Sequence, residues 1–211
     1  MSRRENIGFM TEEEYLAFEE KSDIRHEYVD GHIFAMTGAS DAHNVICLNL
    51  GAFIHGHLRG GPCLAYMNDM KVRIESGKRY YYPDIMVSCE AFAPKGVHKS
   101  KPVLIVEILS QSTKQTDLRE KLVAYQNIPS LMEYVVVYQD RQQLQAYRRI
   151  DNNNWELEVL IRGDTLTLSS LQKPLVVPLD IIYERYDPPS RVKEDEAEYD
   201  FDPLDPLDSL V

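Results

Sequence analysis

The run Pro102-Val-Leu-Ile-Val-Glu-Ile-Leu109 is apolar at every position but one. Eight such residues fall far short of the roughly 20 that a membrane-spanning helix needs. Their β-branched content predicts a central strand covered on both faces. A carboxylate inside such a strand is costly to bury unless a cation or hydrogen-bond donors meet it. Glu107 therefore marks either a buried ion pair or a chemical site.

The flanking sequence builds a sheet around this strand. Residues 117–126 predict a helix ended by Asn127-Ile-Pro129, and Glu133–Tyr138 predicts a further strand. Strand, helix, strand is a crossover unit, so the two strands should be parallel neighbours. A hairpin follows, with strands at 144–149 and 155–161 over Asp151-Asn-Asn-Asn154. Upstream, Thr11-Glu-Glu-Glu14 is a capping-box start for a first helix over 11–21. Asp30-Gly31 is a hairpin signal, because a tight turn needs positive φ. A second helix spans Asp41–Leu58, with Asp41 as cap, a stripe through Val45, Leu48, Ala52 and Leu58 widened by Ile46, Leu50, Phe53 and Ile54, and Gly60-Gly61-Pro62 as stop. Alternation at Met70, Val72 and Ile74, then at Tyr82, Ile85 and Val87, predicts a strand pair joined across Ser76-Gly77-Lys78.

The expected fold class is α/β (α+β): a central mixed β-sheet flanked by helices, in one domain over residues 1–186. Residues 187–211 read as a separate tail, with nine acidic residues against Arg191 and Lys193 and leucines at 204, 207 and 210. The whole chain carries −11 and the tail −7, leaving −4 for the body. That balance argues against nucleic-acid binding through a bulk basic surface. The tail reads as solvated, or as a segment that docks on a partner or a second copy. The opening MSRRENIGFMTEEEY lacks the apolar core of a signal peptide, so a cytoplasmic location with no membrane contact is expected. Cys47, Cys63 and Cys89 are widely spaced with no C-x-x-C, which predicts reduced buried thiols rather than a disulfide or zinc site.

Phosphate-binding glycine loops, G-x-S-x-G and H-E-x-x-H are all missing. What remains is three carboxylates in apolar or aromatic settings: Glu27 before Tyr-Val-Asp-Gly, Asp84 in Tyr-Tyr-Tyr-Pro-Asp-Ile-Met-Val, and Glu107. Asp84 and Glu107 on adjacent strands suit Mg²⁺ (or Mn²⁺), which takes oxygen ligands from one or two carboxylates and leaves other positions for water and phosphate. The alternative for each is an ion pair with Arg or Lys, or a turn cap. Lys121 lies on the helix that follows the Glu107 strand, where it either approaches the carboxylates or pairs with Asp117 at i, i+4 on the surface. Lys71, Arg73, Lys78 and Arg79 cluster at one hairpin, and Lys95, His98, Lys99 and Lys101 before the Glu107 strand. Either group reads as phosphate contacts or as solvated surface.

Taken together, Arg25-His-Glu-Tyr-Val-Asp-Gly-His-Ile, His43 at a helix start, Tyr82-Pro-Asp-Ile, Val106-Glu-Ile-Leu-Ser-Gln-Ser-Thr113, Asp117-x-x-x-Lys121-x-x-x-Tyr125 and Glu133-Tyr-Val-Val-Val resemble the Uma2 family (DUF820), restriction-endonuclease-like proteins abundant in cyanobacteria. The resemblance covers about residues 9–186. It implies the PD-(D/E)xK nuclease fold, with Asp84 and Glu107 as the two metal-binding carboxylates and Glu27 as the acidic residue ahead of the core strands. The motif's lysine position is Leu109 here, and the resemblance assigns the lysine's role to Lys121 on the next helix. His43 and Gln111 are further positions near the implied site. The implied activity is Mg²⁺-dependent hydrolysis of DNA phosphodiester bonds, in which Asp84 and Glu107 bind the metal, Glu27 completes or supports that metal site and Lys121 assists the attacking water. The displaced lysine and the acidic net charge point instead to a catalytically inactive binding or assembly module, a homodimer whose tail reaches across.

Overall fold

The computed structural model describes residues 6–36, 38–75, 78–110, 116–152 and 154–188, less the side chains at 116 and 117. In chain order the elements are β1 (Asn6–Phe9), α1 (Glu12–Glu19), β2 (His26–Val29), β3 (His32–Ala35), α2 (Asp41–His57), β4 (Leu64–Met67), β5 (Lys71–Ile74), β6 (Arg79–Tyr81), β7 (Ile85–Ser88), β8 (His98–Lys99) and β9 (Pro102–Leu109). A π-helix (Thr116–Lys121) then runs directly into α3 (Leu122–Gln126), followed by β10 (Glu133–Tyr138), β11 (Gln143–Arg149), β12 (Trp155–Ile161), β13 (Thr165–Leu168), β14 (Leu175–Pro178) and α4 (Leu179–Ile182).

The central mixed sheet is β12-β11-β10-β9-β7-β4. β9 and β10 are parallel, with Glu107 opposite Val136, as the crossover pattern requires. A second six-stranded sheet, β1-β3-β2-β6-β5-β8, stands beside it. One face of the central sheet packs on α2, α4 and the β13–β14 pair through Ile46, Leu50, Val106, Val135, Leu166 and Leu179. On the other face a second core joins the two sheets and α3, with Val72 and Tyr81 from one side meeting Ile105, Tyr134 and Val136 from the other and Tyr125 between. A small aromatic core of Tyr15, Tyr28, Ile33 and Tyr80 lies under α1. No helix among the described residues is long and apolar enough to cross a membrane.

Several local expectations are met. Thr11 closes a capping box with Glu14, and Asp30 and Gly31 both take positive φ in the β2–β3 turn. Others are corrected. Ser40, not Asp41, caps α2, and the buried stripe of that helix is His43, Ile46, Cys47, Leu50, Gly51 and Ile54, leaving Leu48 and Phe53 exposed. The strand pair expected over Met70–Ile74 and Tyr82–Val87 is split between sheets. β5 pairs with β6 in one, and β7 pairs with β4 and β9 in the other. Pro83 has no N–H to give a ladder, so Tyr82-Pro83-Asp84 becomes the link by which the chain leaves one sheet for the next. The helix after β9 begins as a π-helix. Cys63 and Cys89 are joined in a disulfide across the ends of β4 and β7, and only Cys47 is free, so reduced thiols are the wrong expectation for two of the three. Their separation of 26 residues hid the pairing: Leu64 stands opposite Ser88, which sets Cys63 beside Cys89 only once the strands are in register. Gln111, Ser76-Gly77 and all but the first two residues of the tail lie outside the described residues.

Candidate active site

Glu107 faces the core between the two sheets, on the side of β9 that carries Ile105 and Leu109. Opposite it, β2 brings Glu27 from the second sheet. Both glutamates are buried, at 3% and 4% exposure, and so is Lys121 at 3%. The ammonium lies between them, 3.0 Å from Glu27 Oε1 and 3.1 Å from Glu107 Oε1. It also sits 5.6 Å from the centre of the Tyr81 ring, a cation–π contact. Lys121 is therefore buried beside the carboxylates rather than on the surface. The wider turn of the π-helix delivers it inward, as such turns often do at functional sites.

One helical turn after Lys121, Tyr125 is fully buried and its hydroxyl donates to Glu107 Oε1 at 2.7 Å. Burial, with the Glu107 charge alongside, raises this phenol well above an ordinary tyrosine, so it stays a donor. Tyr81 crosses Tyr125 edge to face and donates to Glu120 Oε1, tying the π-helix to β6.

Asp84 occupies the link ahead of β7. Ile85 pairs with Val106, so continuing the antiparallel register brings Asp84 abreast of Glu107. Its Oδ2 accepts from the backbone N–H of Ile108 at 2.7 Å, and its Oδ1 lies 3.0 Å from His43 Nε2. The Asp84 backbone carbonyl accepts from the Cys47 thiol at 3.7 Å. Burial, with Asp84 and Glu107 nearby, pushes that thiol up to about 12. Asp84 is the open edge of the cluster, with 16% of its side chain exposed.

The fold thus brings all four predicted residues to one place, in two linked parts: Glu27–Lys121–Glu107–Tyr125 inside, and Asp84–His43 at the rim. Reasoning from sequence did not give Tyr125 or Cys47 a role, although Tyr125 follows Lys121 by four and Cys47 follows His43 by four, one helical face in each case. Gln139 was also missed. It accepts from the Ser40 hydroxyl and donates to the Leu109 carbonyl, joining the start of α2 to the end of β9.

Among the described residues no three His, Cys, Asp or Glu side chains converge as a metal cage. Asp84 and Glu107 are the adjacent hard-oxygen pair, which suits an ion that draws its remaining ligands from water and phosphate. Glu27 and Glu107 both meet Lys121 as well. Of the basic clusters, Lys71 and Lys99 are buried, Arg73 pairs with Glu12 and Arg79 with Glu75 and Asp30. These four serve the fold rather than a phosphate-binding surface, while Lys78, Lys95 and Lys101 stay exposed.

Comparison with known proteins identifies relatives and a matching fold. The chain is 34% identical over 175 residues to "Uncharacterized protein slr1290" of Synechocystis, spanning 82% of this chain and 91% of that one. It is 31% identical over 157 residues to "Uncharacterized protein sll1609" of the same organism, spanning 72% and 88%. The fold matches a crystal structure from Anabaena variabilis described as "a putative nuclease belonging to DUF820", with a TM-score of 0.62 and 19% identity over 76% of this chain and 90% of that one. Residues 12–180 match the model of the family described as "Uma2: Putative restriction endonuclease", and to that family this chain belongs.

Proposed function

We propose that this protein is a divalent-cation-dependent phosphodiesterase acting on DNA, with Asp84 and Glu107 holding Mg²⁺ or Mn²⁺ and Glu27 and Lys121 completing the site. The observation that carries the reading is the placement of two hard-oxygen carboxylates: Asp84, reaching solvent, comes abreast of Glu107 on the neighbouring strand, with Glu27 and Lys121 alongside. Such a pair suits a divalent cation that draws its other ligands from water and phosphate. When bound, such an ion would acidify a coordinated water and neutralise charge on the phosphate. The chain's own groups do the rest. Tyr125 and Lys121 fix Glu107, the Ile108 N–H and His43 fix Asp84, and Lys121 holds Glu27 where it shapes the inner wall. Lys121 is also a cation placed to meet an oxyanion or an attacking water once a phosphate arrives. The family description and the DUF820 fold support nuclease chemistry of this class.

A second reading rests on a specific observation. Lys121 engages both glutamates, an arrangement that also suits a nuclease-like fold retained as a binding or assembly module, for instance a homodimer. Calorimetric titration of Mn²⁺ and Mg²⁺ into wild type and Asp84→Ala separates the two. We expect binding by the wild type, loss in the variant, and cleavage of plasmid or single-stranded DNA that falls to background in both Asp84→Ala and Glu107→Ala while both variants stay folded. No metal binding by the wild type, with or without an oligonucleotide present, would establish the module instead.

A further inference from the structure

The proposed chemistry requires Asp84 to stay aligned with Glu107, yet Asp84 lies outside the strand ladder, at the link where the chain changes sheets. Two elements hold it. Ile108 supplies a backbone N–H to Oδ2 at 2.7 Å, and α2 supplies the rest from its first turn and a half. His43 lies 3.0 Å from Oδ1, and Cys47, one turn on, reaches the Asp84 backbone carbonyl. The start of α2 is itself fastened. Ser40 Oγ accepts from the His43 N–H at 3.2 Å and donates to Gln139 Oε1 at 2.7 Å, and Gln139 Nε2 donates to the Leu109 carbonyl at 2.7 Å. One helix end is thereby tied both to the residue before β7 and to the last residue of the Glu107 strand.

The state of the ring follows from its surroundings. Asp84 as a carboxylate only accepts, so Nε2 carries the proton of that bond. Nδ1 is buried and has no hydrogen-bond partner among the described residues.

We infer that His43 is a positioning residue: a ring donor, braced by Ser40 and Gln139, that holds Asp84 in register with Glu107. It acts through Asp84. This deepens the proposed function, because its consequence for metal rests on Asp84 and Glu107 being the ligands. Partners of this kind, behind a ligand, typically set metal affinity by about 10–100-fold.

The test uses the full chain in three forms: wild type, His43→Gln, whose amide keeps a donor at a reach similar to Nε2, and His43→Leu, which has none. Nitrogen NMR of the metal-free wild type should show a His43 Nε2–H signal that moves in Asp84→Ala. Mn²⁺ titration should show affinity about 10–100-fold lower in His43→Leu and within about threefold of wild type in His43→Gln. Thermal midpoints report whether each variant is folded. An Nε2–H indifferent to Asp84→Ala overturns the inference. Equal Mn²⁺ affinity in wild type and a folded His43→Leu overturns it as well. If wild type binds no Mn²⁺, the proposed function fails, and the NMR arm still decides the His43–Asp84 bond: signals as expected leave His43 as the brace of Asp84 in a silent fold.

Discussion

Two buried polar clusters lie back to back on the sheet formed by β1–β3, β5, β6 and β8, and they differ in how their charge is met. Adjacent residues diverge between them: Glu27 and Tyr81 turn towards the central sheet, His26 and Tyr82 towards α1. On the α1 side, Glu19 accepts at Oε1 from the His26 backbone N–H at 3.0 Å and from the Tyr82 hydroxyl at 2.6 Å, and Oε2 meets His26 Nδ1 at 2.9 Å. Lys71 donates to the same tyrosine hydroxyl at 3.2 Å, while burial lowers its own pKa. One carboxylate meets donors at both oxygens, and one lysine stands by. On the other side, Lys121 lies between Glu27 and Glu107, with Asp84 at the rim. Glu19 is as buried as Glu107, at 2% against 3%, so depth alone does not mark a site. A neighbouring carboxylate that reaches solvent does.

The largest expected effect breaks this comparison at its centre. Replacing Lys121 with Met leaves Glu27 and Glu107 buried without their cation, and losing one partner of a buried pair typically costs about 3–5 kcal/mol. Urea denaturation should show that loss, and adding Glu27→Gln should recover part of it by removing one of the stranded charges. A Lys121→Met variant within about 0.5 kcal/mol of wild type, the range of ordinary surface substitutions, would show that the two glutamates do not depend on Lys121.

How much of this could be read in the sequence follows from the same contrast. Glu107 stands out because it is the lone charge in an apolar strand, and Asp84 because it follows three tyrosines and a proline. Lys121 was ambiguous, since i, i+4 spacing from Asp117 describes an ideal α-helix and the local π turn is a tertiary outcome. Glu19 was invisible: in Glu-Glu-Glu-Tyr-Leu-Ala-Phe-Glu it looks like any solvated helix residue, and only the fold puts His26 and Tyr82 over it. The inward-turned arginines were hidden for the same reason. β4, an edge strand of half-exposed residues, carries too little alternation to be seen, and the Cys63–Cys89 pair depends on its register. Motifs defined by local composition survive folding, whereas pairings between elements do not exist until it is complete.

The next effect sharpens the comparison from the other side. Glu19→Ala strands the His26 N–H and the Tyr82 hydroxyl, each a buried donor worth about 1–3 kcal/mol when unmet, for a loss of roughly 3 kcal/mol. Glu19→Gln keeps one acceptor and should lose less. If Asp84 and Glu107 hold the ion, saturating Mn²⁺ should raise the thermal midpoints of wild type and Glu19→Gln alike and leave Asp84→Ala unmoved. A metal response that disappears in Glu19→Gln would place the ion on the wrong side of the sheet.

The smallest effect compares two hydroxyls with the same task. Tyr82 and Tyr125 each donate to a buried carboxylate, at 2.6 and 2.7 Å. Tyr82→Phe removes the donor to Glu19 and the acceptor of Lys71 together, so the loss should approach about 2–3 kcal/mol, the upper part of the range for hydrogen bonds to charged groups. Tyr125→Phe removes one donor from an oxygen that Lys121 still meets at 3.1 Å, and its ring keeps the edge contacts with Tyr81 and Tyr134, so about 1 kcal/mol is expected. Function should invert that order. Tyr82→Phe is expected to cleave DNA as wild type does, whereas Tyr125→Phe, nearly as stable, should lose Mn²⁺ affinity because Glu107 is no longer pinned. Should both variants keep full affinity, Lys121 alone fixes Glu107, and the difference between the two clusters lies in the carboxylate at the rim and not in their hydroxyls.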